Sequence, residues 1–285
     1  MRLILKTTAL VAGALLAGAA FGAGLPADTA DPISLAQQQI SAYLAQLGDL
    51  HCTETVTQDK LSANGHVMDS EHDQYDYLIM MSGSADDFSL NESRASGKEA
   101  RHKVLNVPML VTNGMSTALL VFHPYYRSGF EFETGAEEAV DGRPAIPIHF
   151  RHIAGRRTPI ALALRGREFP LDMEGTAWLD EGTKQIVKVE ANLEHDMSDV
   201  GLKSLSIRVE YKPQLVGGRT STISLPSLAV VEVDTPRQRW RNTHRFSDYK
   251  SFSTNVEQDP GFKIHPDQTP TGSNQVTPSP HGGPK

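Results

Sequence analysis

The feature that most constrains the fold is an apolar–polar alternation that is clearest in two neighbouring segments, residues 173–179 and 185–193. A linker of five residues, Asp180-Glu181-Gly182-Thr183-Lys184, joins the two segments. In the second segment the apolar set is Val187, Val189, Ala191 and Leu193, and the polar set is Lys188, Glu190 and Asn192. A period of two places each set on its own face of a strand. The pattern therefore predicts an antiparallel hairpin with one buried and one solvated face.

Similar alternation recurs along most of the chain, around residues 75–81, 130–132, 146–150, 205–211, 228–233 and 240–246. Residues 32–49 instead repeat apolar side chains at helical spacing, with Asp31 or Ser34 as the cap and Gly48 as the stop. We expect a mainly β (α+β) fold from this order. The predicted architecture is a strongly curved antiparallel sheet or incomplete β-barrel, with the N-terminal helix on its concave side.

The segment 107–126 is apolar but interrupted by Pro108, Asn113-Gly114 and Pro124. Its broken pattern fits neither a regular strand nor a long helix. We predict a short helical, lid-like segment that leads into a strand.

The two ends of the chain differ in composition from the part between them. Residues 1–23 combine Arg2 and Lys6 with a short apolar run and small residues, which predicts a cleavable signal peptide. Residues 255–285 hold six prolines and little apolar periodicity, which predicts a disordered tail. Residues 30–254 are then expected to form a single β-rich domain. The protein is expected to be exported, periplasmic or extracellular, and soluble.

Cysteine content and charge exclude several classes of protein. Cys52 is the only cysteine and lies far from the signal, so neither an internal disulfide nor a lipid-anchored N-terminus is expected. After the signal no stretch is apolar enough to span a membrane. The formal net charge is −7, and about −9 without Arg2 and Lys6. Nucleic-acid binding rests on neutralising phosphates with cations, so this balance argues against it.

Motifs for catalysis or metal binding are weak. Gly114-Met115-Ser116 lacks the second glycine of a nucleophile elbow, and Ser247-Asp248-Tyr249-Lys250 lacks the companion motifs of a Ser-x-x-Lys enzyme. His149 and His152 are three apart on a predicted strand, which sends them to opposite faces. The ligand-rich stretch 66–76 is interpreted as a solvated hairpin tip. We therefore predict no catalytic residue, no metal site and no cofactor.

The order of elements resembles the outer-membrane lipoprotein-sorting, LolA/LolB-like superfamily. The matching segments are the helix after the signal, Phe122-His123-Pro124-Tyr125-Tyr126, residues 138–144, and the hairpin with Gly175-Thr176-Ala177-Trp178-Leu179-Asp180 and Ile186-Val187-Lys188-Val189-Glu190. The resemblance covers most of residues 32–252. It implies a helix-lidded, incomplete barrel whose apolar hollow receives acyl chains, with no catalytic residues. In those carriers an arginine of an early strand holds the lid shut, whereas this chain has no arginine between Cys52 and Ser93.

A hydrophobic-ligand hollow would be lined by the inward faces of the strands and by the lid. Its candidate residues are Tyr77, Ile79, Leu119, Leu120, Phe130, Phe132, Ile148, Phe150, Trp178, Val189 and Ile207. For each of them plain core packing is the alternative. The leading hypothesis is a carrier of a lipid, lipoprotein or other amphiphile. An envelope protein-interaction or scaffold module is the second hypothesis, and a hydrolase with an unrecognised site is the third.

Overall fold

A computed structural model describes residues 31–47, 50–83, 88–95, 110–112, 115–164, 166–216 and 222–251. The predicted signal peptide and the predicted C-terminal tail lie outside the described residues. The fold is mainly β and antiparallel, as predicted. Among the described residues, no helix is long and apolar enough to cross a bilayer.

The helix α1 spans Pro32–Leu47, within the predicted segment. Asp31 caps it, because its carboxylate accepts the backbone N–H of Ser34 at 3.1 Å and its carbonyl accepts that of Leu35 at 3.0 Å. Proline is well placed at the first helical position, where the chain needs no N–H donor. The side chains that α1 buries share one helical face: Ala36, Ile40, Tyr43 and Leu44.

Thirteen strands follow among the described residues. They are β1 Leu50–Leu61, β2 Val67–Gly83, β3 Phe88–Ala95, β4 Phe130–Thr134, β5 Glu138–Val140, β6 Arg143–His152, β7 Ala161–Leu164, β8 Arg167–Pro170, β9 Met173–Asp180, β10 Ile186–Leu193, β11 Ser204–Leu215, β12 Thr222–Asp234 and β13 Arg239–Ser251. A 3₁₀ helix, Met115–Phe122, and a short helix α2, Pro124–Arg127, lie before β4 and confirm the helical character expected there. The ligand-rich stretch expected at a hairpin tip belongs mostly to β2, so that interpretation is wrong.

The main sheet has the strand order β3-β2-β1-β13-β12-β11-β10-β9-β6-β4, with β5 on β6, while β7 and β8 form a separate hairpin. The last strand, β13, lies between β12 and β1. No pairing joins β3 to β4 among the described residues, so the sheet is not closed.

The sheet is strongly curved, because α1 contacts β1 as well as β4 and β6. In the strand order β6 lies six spacings from β1. A flat sheet would separate these two strands by about 29 Å at about 4.8 Å per spacing, whereas a helix is only about 10–12 Å wide. The sheet must therefore curl around α1, which lies on the concave face.

The hairpin predicted from alternation is β9–β10, and its register pairs Val189 with Ala177. Asp180 shapes the turn, because its carboxylate accepts the backbone N–H of Thr183 at 2.7 Å and the Thr183 hydroxyl at 2.9 Å. Lys184 completes the turn with a φ of +55°. The register shifts between Ile186 and Lys188, so Val187 departs from the inward set predicted for β10.

Candidate functional site: the covered concave face

The concave face of the sheet carries an apolar lining that continues onto its helical cover. Ten of the eleven candidate residues belong to this region. Nine are buried, namely Tyr77, Ile79, Leu119, Leu120, Phe130, Ile148, Phe150, Val189 and Ile207, and Phe132 packs against them half-buried. The structure thus brings together residues from both ends of the strand order and from the 3₁₀ helix.

Trp178 is the exception, and its placement in the lining is wrong. In β9 the inward side chains are Met173, Ala177 and Leu179, so Trp178 occupies the opposite phase. Its indole nitrogen donates to the carboxylate of Glu138, and the ammonium of Lys188 lies 4.7 Å from its ring centroid. Trp178 therefore belongs to the outer face of the sheet.

Two helical segments cover the lining side by side. The 3₁₀ helix contacts α1, β11 and β12. At the other end of the strand order, Phe122 stacks on Phe132 with ring centroids 5.2 Å apart and meets Phe150 edge-on at 6.3 Å. From α1, Tyr43 meets Tyr211 of β11 edge-on at 6.1 Å. The cover is therefore held mainly by apolar and aromatic contacts.

Among the described residues, buried side chains of the sheet and the cover pack against one another in a single core cluster. Phe122, Ile148 and Val209 have no exposed surface at all. A side chain beside a cavity large enough for water would retain some accessible surface. In this structure the candidate lining residues pack against one another and against the cover, so the concave face is closed.

A buried ionic cluster lies on the same concave face, over β1, β13 and β3. Glu54 and His244 are completely buried, and the Nδ1 atom of His244 lies 2.8 Å from Oε1 of Glu54. Arg94 donates two hydrogen bonds to the same carboxylate, from Nε at 2.6 Å and from Nη2 at 2.8 Å. Such a two-point pair is the strongest arrangement of an arginine and a carboxylate. Burial alone would raise the pKa of Glu54, but hydrogen bonds from His244 and Arg94 outweigh it and hold that pKa below its usual value.

The ionic cluster holds a strap of the chain, which we define as Leu110–Thr112, on the concave face. The carbonyl of Leu110 accepts from Gln58 at 2.6 Å and from Asn242 at 2.7 Å. The carbonyl of Thr112 accepts from Arg94 at 3.2 Å. Since the strap directly precedes the 3₁₀ helix in the chain, these contacts anchor the N-terminal side of the cover.

The hydroxyl of Thr112 completes the network. It accepts from Nδ2 of Asn242 at 3.0 Å and lies 2.6 Å from Nε2 of His244. Because ionised Glu54 can only accept, Nδ1 of His244 donates to it. The Thr112 hydroxyl can both donate and accept, so it can bond Nε2 of His244 in either direction. Each of these three contacts has a compatible donor and acceptor.

A hydroxyl, an imidazole and a carboxylate in this order also occur in hydrolase triads. Here the carboxylate is already neutralised by Arg94, which weakens its ability to stabilise an imidazolium. Ser247, one of the serines weighed from the sequence, is not part of the cluster, because its hydroxyl bonds its exposed neighbour Asp248. The side chain of Ser116 lies outside the described part of the structure. The arrangement suits anchoring better than nucleophilic catalysis.

Among the described residues, four polar side-chain atoms are buried without a hydrogen-bond partner: Nε2 of Gln37, the hydroxyl of Tyr211, Nε1 of Trp240 and Oδ1 of Asn242. Tyr211 and Asn242 lie on the concave face. A buried polar atom without a partner costs about 1–3 kcal/mol. The closed arrangement is therefore less favourable at these atoms than one in which they meet a donor or solvent.

Sequence reasoning missed this cluster, although one signal was present. Glu54 shares its strand phase with Cys52 and Val56, which are buried, and His244 shares its phase with buried Phe246. Charged residues at inward positions mark paired groups or sites. Arg94 follows directly after the interval in which the chain has no arginine, and it donates to the strap.

The outer face of the sheet is polar where it carries a groove of about 600 Å³. Its lining includes Glu131, Glu133, Glu174, Arg151 and His149. His149 faces this groove and bonds Thr176 at 2.9 Å, while His152 is buried and lies 2.7 Å from Asp172. The two histidines thus lie on opposite faces, as their spacing predicted. Within the described ranges, no group of three or more side chains is arranged to hold a metal ion.

Comparisons with known proteins gave matches among solved structures alone, since no family model and no curated protein matches the chain. The chain resembles solved structures of the LolA superfamily. A LolA superfamily protein from Nitrosomonas europaea is 10% identical, with a TM-score of 0.35, over 76% of this chain and 94% of its own. An outer membrane lipoprotein-sorting protein domain from Vibrio parahaemolyticus is 12% identical, with a TM-score of 0.38, over 79% and 94%.

A DUF1329 family protein from Desulfovibrio piger is 11% identical, with a TM-score of 0.39, over 80% of this chain and 95% of its own.

Proposed function

We propose that this protein is an exported, non-enzymatic carrier that binds a hydrophobic ligand on the concave face of its sheet. The main support for this proposal is the kind of element that covers this face. Instead of a second sheet, α1 and the 3₁₀ helix cover the apolar lining. A cover made of short segments can withdraw without breaking the strand pairing of the sheet.

Apolar contacts between the cover and the sheet are exchangeable. An acyl chain can take the place of Leu119 or Leu120. Burial of each of its methylenes contributes a free energy of about 0.8 kcal/mol, which offsets the contacts that the cover gives up. Binding is then a balance between two similar apolar surfaces, and the net affinity is moderate. That balance suits a carrier, which must release its cargo as well as take it up.

The ionic cluster gives the moving cover a fixed end. Polar contacts are directional, so the strap has one preferred position on the sheet, and the cover closes again in the same register. Among the described residues the hydroxyl of Tyr211, which faces α1, is buried without a hydrogen-bond partner, and this disfavours the closed form and lowers the cost of opening. A lipid, lipoprotein or other amphiphile fits this class of cargo.

The test is to purify the full chain without detergent, extract it with organic solvent and search for acyl lipids by mass spectrometry. An apolar fluorescent probe with fatty-acid competition then measures binding directly. The expected result is bound acyl material in a fixed ratio to protein, or saturable and competed probe binding. A protein that is stable, empty and blind to the probe overturns the proposal in favour of a protein-interaction role.

A matched pair of variants tests whether the ligand binds on the concave face. Phe132 and Trp178 are both half-buried aromatics of one sheet, but they lie on opposite faces. Phe132→Ala should change probe affinity several-fold, because it removes a ring that the cover contacts. Trp178→Ala should leave probe affinity unchanged. Equal effects of the two substitutions would contradict binding on the concave face.

A further inference from the structure

A basic, aromatic cluster lies beside the cover on a chain whose overall charge is negative. We call it the arginine–tyrosine patch and define it as Tyr125, Tyr126, Arg127, Arg156 and Arg157. The first three belong to α2, which follows the 3₁₀ helix after a single residue. The last two belong to the loop that leaves β6. Neither the ionic cluster nor the concave lining includes any of them.

The loop of the patch is fixed against the start of β4. The backbone N–H of Ile153 donates to the carbonyl of Gly129 at 2.8 Å, and Nε2 of buried His152 lies 3.1 Å from the carbonyl of Arg156. Glycine is required at position 129, because a Cβ there would lie 2.2 Å from the carbonyl oxygen of Arg157. The arginines are therefore presented from an anchored backbone.

Ring contacts hold the loop and α2 together. The guanidinium carbon of Arg157 lies 3.9 Å from the ring centroid of Tyr125, a cation–π distance. Tyr125 and Tyr126 meet edge-on with centroids 4.9 Å apart. The two elements thus form one continuous surface.

The charges of the patch are available for a partner. Arg127, Arg156 and Arg157 are exposed, and within the described ranges no carboxylate lies within 4.0 Å of their guanidinium nitrogens. By contrast, Arg151 pairs with Glu174 at 3.0 Å and Arg241 with Glu232 at 2.7 Å. The patch therefore brings three arginines without a carboxylate partner together in one place.

We propose that the arginine–tyrosine patch docks the protein on a membrane surface that exposes anionic phospholipid headgroups. Guanidinium groups match phosphate oxygens with two parallel hydrogen bonds. Tyrosine rings favour the headgroup level, where one end is apolar and the other is wet. Docking through α2 places the adjoining 3₁₀ helix against the bilayer. The inference goes beyond the proposed carrier function and does not depend on it.

The experiment is co-sedimentation of the full chain with vesicles of phosphatidylcholine, with or without added phosphatidylglycerol of the same acyl chains. The expected result is binding to the anionic vesicles alone, weakened by salt. The combined variant Arg127→Gln, Arg156→Gln and Arg157→Gln should lower vesicle partitioning on the order of 100-fold, since each arginine near an anionic surface contributes roughly fivefold.

Lys212→Gln is the matched control. Lys212 is exposed on β11. Since Glu210 of the same strand pairs with the first half of β10, Lys212 lies at the end of the sheet that is opposite to the patch. It should reduce partitioning at most a few-fold. Equal thermal midpoints for all proteins confirm that the variants are folded.

Acyl-probe binding, measured on the same triple variant, separates this inference from the carrier proposal. Docking depends on headgroup charge, whereas ligand binding by the carrier depends on acyl chains. Equal binding to neutral and anionic vesicles overturns the inference. An unchanged triple variant also overturns it. Failure to bind vesicles, combined with arginine-dependent capture of an acidic protein, assigns the patch to a protein partner instead.

Discussion

The concave face has two halves that are closed in different ways. In one half aromatic rings meet, as Phe122 does with Phe132 and Phe150. In the other half an ion pair and its hydrogen-bond partners hold the strap, with Glu54 and His244 completely buried. The first half is apolar and close-packed, and the second is polar and directional.

The difference lies in what can replace each contact. An apolar contact has little directional preference, so a ligand's acyl chain can take the place of a ring. A buried ion pair has no such substitute, because removing one partner leaves a charge without compensation. We therefore expect the aromatic half to open for a ligand and the ionic half to stay in place.

The largest expected effect comes from Glu54→Gln. It removes the carboxylate from Arg94 and His244, and the free energy of unfolding should fall by about 3–5 kcal/mol. Urea unfolding measures this. Glu232→Gln is the control, because the Glu232–Arg241 pair is 40% exposed on both sides and should contribute at most about 1 kcal/mol. Similar losses in both variants would show that the cluster is not an important source of stability.

The contribution of Glu54 to stability should depend on pH. Because the pKa of Glu54 is lowered in the folded protein, its contribution is complete above the unfolded value of about 4.3. It is lost as the pH falls through the lower folded pKa. The stability difference between wild type and Glu54→Gln should thus be constant near neutral pH and shrink in acid. A difference that grows below pH 4 would contradict the assigned ion pair.

Phe122→Ala tests the aromatic half. The ring is fully buried, and its loss should cost about 3 kcal/mol in the free energy of unfolding. It also leaves a gap between cover and sheet, so affinity for an apolar fluorescent probe should rise. Probe titration beside urea unfolding measures both changes. Glu54→Gln, measured by the same titration, should not create such a site. A probe response in that variant alone would mean that the ionic half opens and the aromatic half stays in place.

The smallest expected effect comes from Thr112→Val, which removes one hydroxyl from the strap at nearly constant volume. It leaves Nδ2 of Asn242 with one partner fewer and should cost about 1–2 kcal/mol. Thr57→Val is the control, because its hydroxyl bonds exposed His72 on the outer surface. Thermal unfolding measures the stability of both variants. A larger loss of stability for Thr57→Val would show that the hydroxyl of Thr112 does not help to hold the strap.

Much of the fold could be predicted from the sequence because it rests on local periodicity. The hairpin β9–β10 and the helix α1 were predicted within a few residues, since alternation, capping and turn residues act over short distances. The phase of β9 was harder to infer. The strand buries small Ala177 and leaves Trp178 partly exposed, so residue size misled the assignment of faces.

The ionic cluster could not be predicted because its members are far apart in the chain. His244 lies 190 positions from Glu54, and β13 must pair with β1 before the two side chains meet. Arg94 comes from β3 and Thr112 from the strap, so four separate segments converge. Periodicity identifies an inward charge but does not name its partner.

Hydrogen exchange, measured with and without a saturating long-chain fatty acid, tests the central claim most directly. We predict that ligand binding lowers the protection of amides in α1 and the 3₁₀ helix, while amides in β9, β10 and β11 keep theirs. Protection that is unchanged in the cover of a ligand-bound protein, or lost equally in the strands, would contradict a carrier that opens by displacing its cover.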